Sequence, residues 1–538
     1  MLTGLLAFGL LLRVVVAWRF RVNSDEPQHL HVVWAWTQGL LPYRDVFDNH
    51  TPLFQVLSVP ALLVVGERPD AVLWMRLTML PLWGAALLLT AAIGRTLFTP
   101  RVGWGSAALA AFFPAFFFCS VEYRPDLLWT VLWLAAIAIA VGGAPTARRG
   151  FALGLVLGTA LAVSLKTTLM LSAIGVATIV TLALAPRRHH VWRPVVKTGV
   201  AAAAGLLLVP GLVTLFFAAH GALEPFLYAT VWHNLLPVVG GGRSSGPKVV
   251  AAVLGALAPI LAGVVARRAP TVGLGLRRAF LMLATAGYLA LLWGVWPILT
   301  RQDMLPVFPL LAILLTALLV RPWLSKQGPA GWVLPAVAAV EIALVLLNPR
   351  VRLGEARTTS ALMADTLRLV PPGTSVLDPK GETVFRPRPV FWVFESLTRE
   401  RLRRGLIADD FADSLVRTHT CVVVGYDDYL PPATRRWVRQ HYLPVATYQP
   451  GGDLLVAGAR LDPRGTVFEV GIETTYVLVG ASGIPSGVLD DRPFDGPRTL
   501  SPGLHTFRAA AGEDRVALIW ARAAEQGFSP FDEQGNWR

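Results

Sequence analysis

The stretch from Gly150 to Ala185 reads GFALGLVLGTALAVSLKTTLMLSAIGVATIVTLALA, and its single charge, Lys166, falls near the midpoint. A bilayer core about 30 Å thick takes roughly 20 helical residues at about 1.5 Å each. The stretch is too long for one span, so it reads as a tight hairpin of two membrane helices with Lys166 at the turn. Neither half has the polar face that a helix on a soluble core would need.

Working outward, apolar stretches of similar kind occur at 3–20, 73–93, 103–119, 126–142, 199–219, 249–266, 279–295, 304–320 and 331–347. With the hairpin halves at 150–165 and 167–185 they predict about eleven spans. The N-terminal run has no convincing small-residue cleavage site and reads as a retained first span. The chain is 54% hydrophobic, 15% charged, and has a mean hydropathy of +0.54, as expected when lipid is the solvent for much of it. A net charge of +14 would suggest nucleic acid in a soluble protein. Here the basic residues lie between apolar runs, where they set topology and meet anionic lipid, so no nucleic-acid partner is expected. Two cysteines, Cys119 and Cys421, are too few for a disulfide framework or a thiolate metal site.

The loops alternate in charge. One set holds Arg95, Arg101, Arg148, Arg149, Arg187, Arg188, Arg193, Lys197, Arg267, Arg268, Arg277, Arg278, Arg321 and Lys326, without an acid. The other holds Asp25, Glu26, Asp45, Asp48, Glu122, Asp126, Glu224 and Asp303. The excess of basic residues on cytoplasmic loops places the first set, and the N-terminus, in the cytoplasm. The acidic loops and everything after Asn348 are then expected outside.

Three regions follow: a membrane domain over 1–348 with a long first outer loop at 23–72, an α/β domain over 349–462, and a β-rich, sandwich-like module over 463–538. Strand-like TSVLD, CVVVGY and DLLVAGARL alternate with helix-like RERLRRGLIADDFADSLVR and PATRRWVRQHY in the second region. Short strands with Gly, Pro and Asp turns fill the third. Asp409-Asp410 and Asp427-Asp428 read as solvated or capping carboxylates. In the first outer loop, Leu30, Val33, Trp34 and Leu40 give a helical pattern suited to the membrane surface.

Chemistry-bearing residues concentrate in the acidic loops. Asp25 and Glu26 follow the first span. The EYRPD loop supplies Glu122, Arg124 and Asp126, with Pro125 at a helix start and Asp126 near its positive end. Lys166 stands at the hairpin turn, Arg301 and Asp303 precede the tenth span, and His233-Asn234 sit in FLYATVWHNLLP. Each has an ordinary reading as a cap, a snorkelling cation or a charge-balanced turn. Together, carboxylates, cations and apolar walls on one face suit a lipid with a phosphate head and a long apolar tail. Cations hold the phosphate, and a carboxylate deprotonates an attacking hydroxyl. A transporter would place its ionisable groups at mid-membrane, where only Arg13 was recognised.

These motifs, in this order, resemble the GT-C superfamily of membrane glycosyltransferases over roughly residues 1–345. The nearest subgroup is glycosyltransferase family 39, with its protein O-mannosyltransferases and lipid A aminoarabinose transferases. The resemblance rests on Asp25-Glu26, GLLPYRDVFDNHTPL, EYRPD, LKTT at 165–168 and RQDMLPVFPLLA. It implies a multi-pass protein of the bacterial inner membrane with a periplasmic tail. It further implies a polyprenyl-phosphate sugar donor and inverting transfer to a lipid, glycan or protein acceptor. Asp25 would be the catalytic base, and Asp126 a second acidic catalytic residue that orients the acceptor or assists Asp25. Glu26, Arg44, His50, Glu122, Arg124, Lys166, His233, Asn234 and Arg301 would bind donor phosphate or substrate. Asn49-His50 stands where the aminoarabinose transferases carry Glu-Lys, so no metal is required by this reading. Asp48 and His233 are the candidate ligands for a divalent cation. A lipid-linked glycan flippase and an O-antigen ligase or polymerase are the competing readings.

Overall fold

The computed structural model describes residues 2–186, 192–235, 245–296, 299–320, 333–352, 354–425, 429–448, 452–462, 466–481, 483, 485–510 and 515–538. Arg187, Arg188, Arg321, Lys326, Asp427, Asp428 and the boundary at Pro463 lie outside them. The chain forms two compact units. The first is Met1–Phe20, Asn49–Ala61 and Leu73–Gly354; the second is Arg21–Asp48, Leu62–Val72 and Glu355–Arg538.

Helices α1 Leu2–Arg19, α2 Asp25–Thr37, α3 Leu53–Val65, α4 Ala71–Arg76 and α5 Met79–Leu97 open the chain. They are followed by α6 Pro100–Phe112, α7 Pro114–Cys119, α8 Pro125–Val141, α9 Ala147–Val163 and α10 Thr167–Leu184. Next come α11 Trp192–Ala219, α12 Leu223–Leu227, α13 Ser245–Arg267, α14 Val272–Gly294, α15 Val307–Val320 and α16 Val333–Leu346. Every apolar stretch read as a span contains a helix, but the count of eleven clean spans is not reproduced. Five stretches among the described residues are long and apolar enough to cross a bilayer: Ala71–Leu97, Thr167–Leu184, Pro194–Ala219, Gly246–Arg267 and Val272–Gly294. The stretch at 103–119 breaks between Phe112 and Pro114, because proline cannot continue the hydrogen-bond ladder.

The hairpin read from Gly150–Ala185 is present as α9 and α10, with Lys166 at the N-cap of α10. Helix α9 then packs on α11 at very short range. A Cβ on Gly150, Gly154 or Gly158 would lie 2.2, 1.9 or 2.4 Å from the carbonyls of Thr198, Ala202 and Leu206. Small residues four apart let the two backbones touch, as membrane helices commonly do in lipid. The opposite side of α11 carries exposed Val200, Leu207, Leu212 and Leu215, the surface lipid would cover. Inside the bundle, Arg13 donates to the Phe117 carbonyl at 3.2 Å and to Ser120 Oγ at 2.9 Å and lies over the Trp83 ring, a packing role. A second intrahelical charge, Glu341 of α16, is also buried; the sequence reading passed over it.

In the loop at 23–72, the helical segment expected along the membrane surface is instead covered by protein. Leu30, Val33 and Trp34 are buried, and α2 is covered on nearly every side. The apolar residues left exposed in that loop are Val56, Leu57, Leu63 and Val64 of α3. The pattern that looked amphipathic belongs to a helix packed within the second unit, which burial on one periodicity could not reveal.

After α17 Pro349–Arg352, the tail holds α18 Ala356–Leu369, α19 Ser396–Arg403, α20 Phe411–Arg417, α21 Pro432–His441 and α22 Ala521–Glu525. Its strands are β1 Val376–Leu377, β2 Val422–Gly425, β3 Tyr442–Tyr448, β4 Gly452–Leu461, β5 Thr466–Val470, β6 Thr474–Gly480, β7 Gly487–Leu489, β8 Arg492–Pro493, β9 Arg498–Leu500, β10 Gly503–Ala509 and β11 Val516–Trp520. One seven-stranded sheet runs β1-β2-β4-β11-β6-β9, with β3 also on β4. A four-stranded sheet runs β5-β10-β7-β8. Strand β11 pairs Ile519 with Gly458 of β4, so the expected separation at 462/463 does not divide the sheet. Gly458 permits that pairing, since a Cβ there would meet the Leu518 carbonyl at 2.4 Å. Asp409 does cap, as expected: it accepts from Ala433 N at 2.7 Å and Thr434 N at 3.3 Å at the start of α21.

Candidate functional site

Within the first unit, three loops bring polar groups to the ends of apolar helices. Pro125 opens α8, so Asp126 sits in its first turn, where the unpaired amides favour a carboxylate. Arg124 folds back and donates Nε to Asp126 Oδ2 at 3.0 Å. Lys166 Nζ lies 3.5 Å from Asp126 Oδ1 and makes a close ion pair with Asp303. Asp303 is fully buried and accepts from Thr300 N at 2.7 Å and Thr300 Oγ1 at 3.0 Å. Tyr288 of α14 donates its hydroxyl to the Asp303 carbonyl at 2.8 Å. Below the charges, Trp129 Nε1 donates to Thr167 Oγ1 at 2.9 Å and ties α8 to the start of α10.

Burial alone would pull the Lys166 ammonium down, but the Asp303 and Asp126 carboxylates outweigh it and hold it above the usual lysine range. The cluster therefore keeps a cation at the head of an apolar helix hairpin. Glu122 accepts from Gln302 Nε2 at 2.7 Å beside it. Of the residues singled out from sequence, Glu122, Arg124, Asp126, Lys166 and Asp303 are brought into this network. Arg301 is exposed, and its neighbour Asp303 occupies the position beside Lys166 instead.

Asn234 has a structural task in the same unit. Its Nδ2 donates to the carbonyls of Asn49 and Thr230, both at 2.8 Å, and so fixes the chain beside His50. His233 follows a π-helical turn at Tyr228–Trp232, is fully buried and lies edge-on to Tyr228. His50 is half-buried.

The second unit holds the other predicted residues. Asp25 begins α2, and its Oδ1 accepts from Lys380 Nζ at 2.7 Å. Glu26 is fully buried and its Oε1 accepts from Asn23 N at 2.8 Å, a capping role. Arg44 pairs with Asp45 at 2.8 Å on the surface, an interaction that salt and water screen. Asp48 is buried, and its charge together with burial raises the Tyr43 hydroxyl far above its ordinary value.

Sequence reading missed the turn that carries Lys380. Asp378 accepts from Gly381 N at 2.6 Å, Thr383 N at 2.9 Å and Arg388 Nε at 3.0 Å. His31 of α2 meets the Val384 carbonyl through Nδ1 at 2.7 Å. Gly381 adopts φ +100°, and a Cβ there would lie 2.9 Å from that of His31. The Asp-Pro-Lys-Gly-Glu run at 378–382 has turn chemistry in plain view, but nothing local ties it to Asp25.

Among the described residues, no three His, Cys, Asp or Glu side chains gather as metal ligands. Asp48 acts electrostatically on the Tyr43 hydroxyl, and His233 lies edge-on to the Tyr228 ring. Among the described residues, this donor set does not fit a metal held by protein ligands alone.

No protein-family model matches the chain, and no curated protein sequence matches it. Solved structures do. The chain is similar to ArnT from Cupriavidus metallidurans bound to undecaprenyl phosphate, at 14% identity and a TM-score of 0.59, covering 85% of this chain and 97% of that one. The apo state of the same protein matches at 15% identity and a TM-score of 0.55, with the same coverage. At such identity the likeness is one of fold. The chain shares the fold of the ArnT structures, and its described residues include five stretches long and apolar enough to cross a membrane.

Proposed function

We propose that the protein is an inverting glycosyltransferase that takes a sugar from a polyprenyl-phosphate donor on the periplasmic face of a bacterial inner membrane. The observation that carries this reading is Lys166, held cationic between Asp126 and Asp303 at the head of two apolar helices. An apolar tail with a phosphate head needs that pairing of surfaces. The ArnT structure, which contains undecaprenyl phosphate, supports the donor class through its fold.

In this reaction Asp25 takes the proton of the acceptor hydroxyl as that oxygen attacks the anomeric carbon. The new carbon–oxygen bond forms as the bond from the anomeric carbon to the phosphate oxygen breaks. The electron pair leaves with the phosphate, whose added charge Lys166 and Arg124 stabilise. Asp126 and Asp303 keep those cations placed.

The test is release of polyprenyl phosphate in membranes supplied with lipid-linked sugars. Asp25→Asn is expected to lower turnover by about 10²–10⁴-fold, and Asp126→Asn and Lys166→Ala to lower it substantially. Full activity in all three variants overturns the assignment. Reporter fusions after Asn348 test the orientation, and a cytoplasmic signal there contradicts it.

A further inference from the structure

Lys380 is a partly buried lysine that faces the first residue of α2. Lys380 has only 13% of its side chain exposed, yet it reaches Asp25 Oδ1 at 2.7 Å and Ser24 Oγ at 3.2 Å. The backbone that carries it is over-determined. Glu382 Oε2 accepts the Lys380 amide at 2.7 Å, and Asp378 clamps Gly381, Thr383 and Arg388. Only glycine at 381 lets this turn approach α2 so closely. The turn's rigidity fixes the direction in which the ammonium points.

We infer that Lys380 is a positioning residue for Asp25, keeping its carboxylate ionised and aimed so that it can accept a proton. This rests on the reading of Asp25 as the base. An opposite charge at hydrogen-bond distance favours the carboxylate over the acid. The charged and titratable groups facing Lys380 are Asp25, Glu382 and Tyr429, and their fields outweigh its burial, which alone would favour the neutral amine. The ammonium is therefore a standing charge across the pH range in which a carboxylate base titrates. The competing account is purely structural: a buried ion pair pinning the start of α2 to the turn.

The pH profile separates the two. Lys380→Gln keeps a donor toward Asp25 and Ser24 but removes the charge; Lys380→Arg keeps the charge. In the full-length protein in membranes, kcat/KM for polyprenyl-phosphate sugar is measured from acid to alkaline pH. Asp25 must be ionised to work, so losing the cation is expected to shift the acid limb upward by about one pH unit or more. That corresponds to at least about a tenfold loss on the acid side, with recovery at high pH. Lys380→Arg is expected to restore the wild-type limb. An unmoved limb in Lys380→Gln, or equal loss at every pH, overturns the positioning role while leaving the proposed function intact. If Lys380→Gln does not fold, an acid limb shifted by Lys380→Arg overturns it, and a retained limb supports it. Absence of turnover in the wild type overturns the proposed function, and this inference with it.

Discussion

Removing either acid beside Lys166 leaves a buried cation with half its counter-charge. A double-mutant cycle of Asp303→Asn and Lys166→Met, read by thermal unfolding in detergent, is expected to give a coupling energy of roughly 0.5–3 kcal/mol. Independent effects would show that the pair is incidental. Glu382 offers a second residue-level test. Burial pushes its carboxyl up, and the Asp378 charge adds to the effect. A folded-state value above the unfolded one means that stability is present at low pH and lost as pH rises through it. Glu382→Gln is therefore expected to raise the melting temperature relative to wild type near pH 8, with the gap closing near pH 5. At this scale the sequence revealed residue types but not partners. Asp126 and Lys166 were legible because each stands at the start of an apolar helix. Lys380 was not, because 355 residues separate it from Asp25.

Helix α9 carries its packing instruction in Gly150, Gly154 and Gly158. Gly154→Leu drives a side chain into the Ala202 carbonyl, and destabilisation at or above the upper end of the usual ~1–3 kcal/mol for overpacking is expected. Gly175→Leu on α10, where nothing lies within 4 Å of the added Cβ, is the control and is expected to melt like wild type. A parallel shift of both would remove the close α9–α11 contact as the cause. In the tail, Asp409→Ala is expected to cost about 1 kcal/mol by exposing the first amides of α21. Elements were the most legible level: hydropathy located a helix at each apolar stretch, although 103–119, read as one span, breaks at Pro114. What hydropathy could not separate is a helix buried by protein from one that meets lipid, so α2, expected at the membrane surface, is instead packed within the second unit.

At the scale of the molecule, the second unit is discontinuous in sequence. It takes Arg21–Asp48 and Leu62–Val72 together with the tail. Phe47 packs edge-on to Phe391 and lies 5.0 Å from Trp392, while Arg386 reaches Glu67 at 3.3 Å. Residues 355–538 expressed alone are expected to aggregate or to give a broad, weakly cooperative melt, and a peptide spanning 21–48 is expected to sharpen it. A sharp, peptide-independent transition would make the tail a domain in its own right. Composition placed a boundary near Asn348 because hydropathy falls there, but hydropathy cannot report which early loop is borrowed by a later fold. That borrowing has a consequence in time. Asp25 leaves the ribosome early, while the turn that seats its partner ammonium is 355 residues behind it. At about 5–20 residues per second of synthesis, the carboxylate waits on the order of 20–70 s before its setting can be completed. A nascent or truncated chain thus inserts its first helices before the Asp25–Lys380 pair can form, and under the proposed function its base is assembled only after that turn has been made.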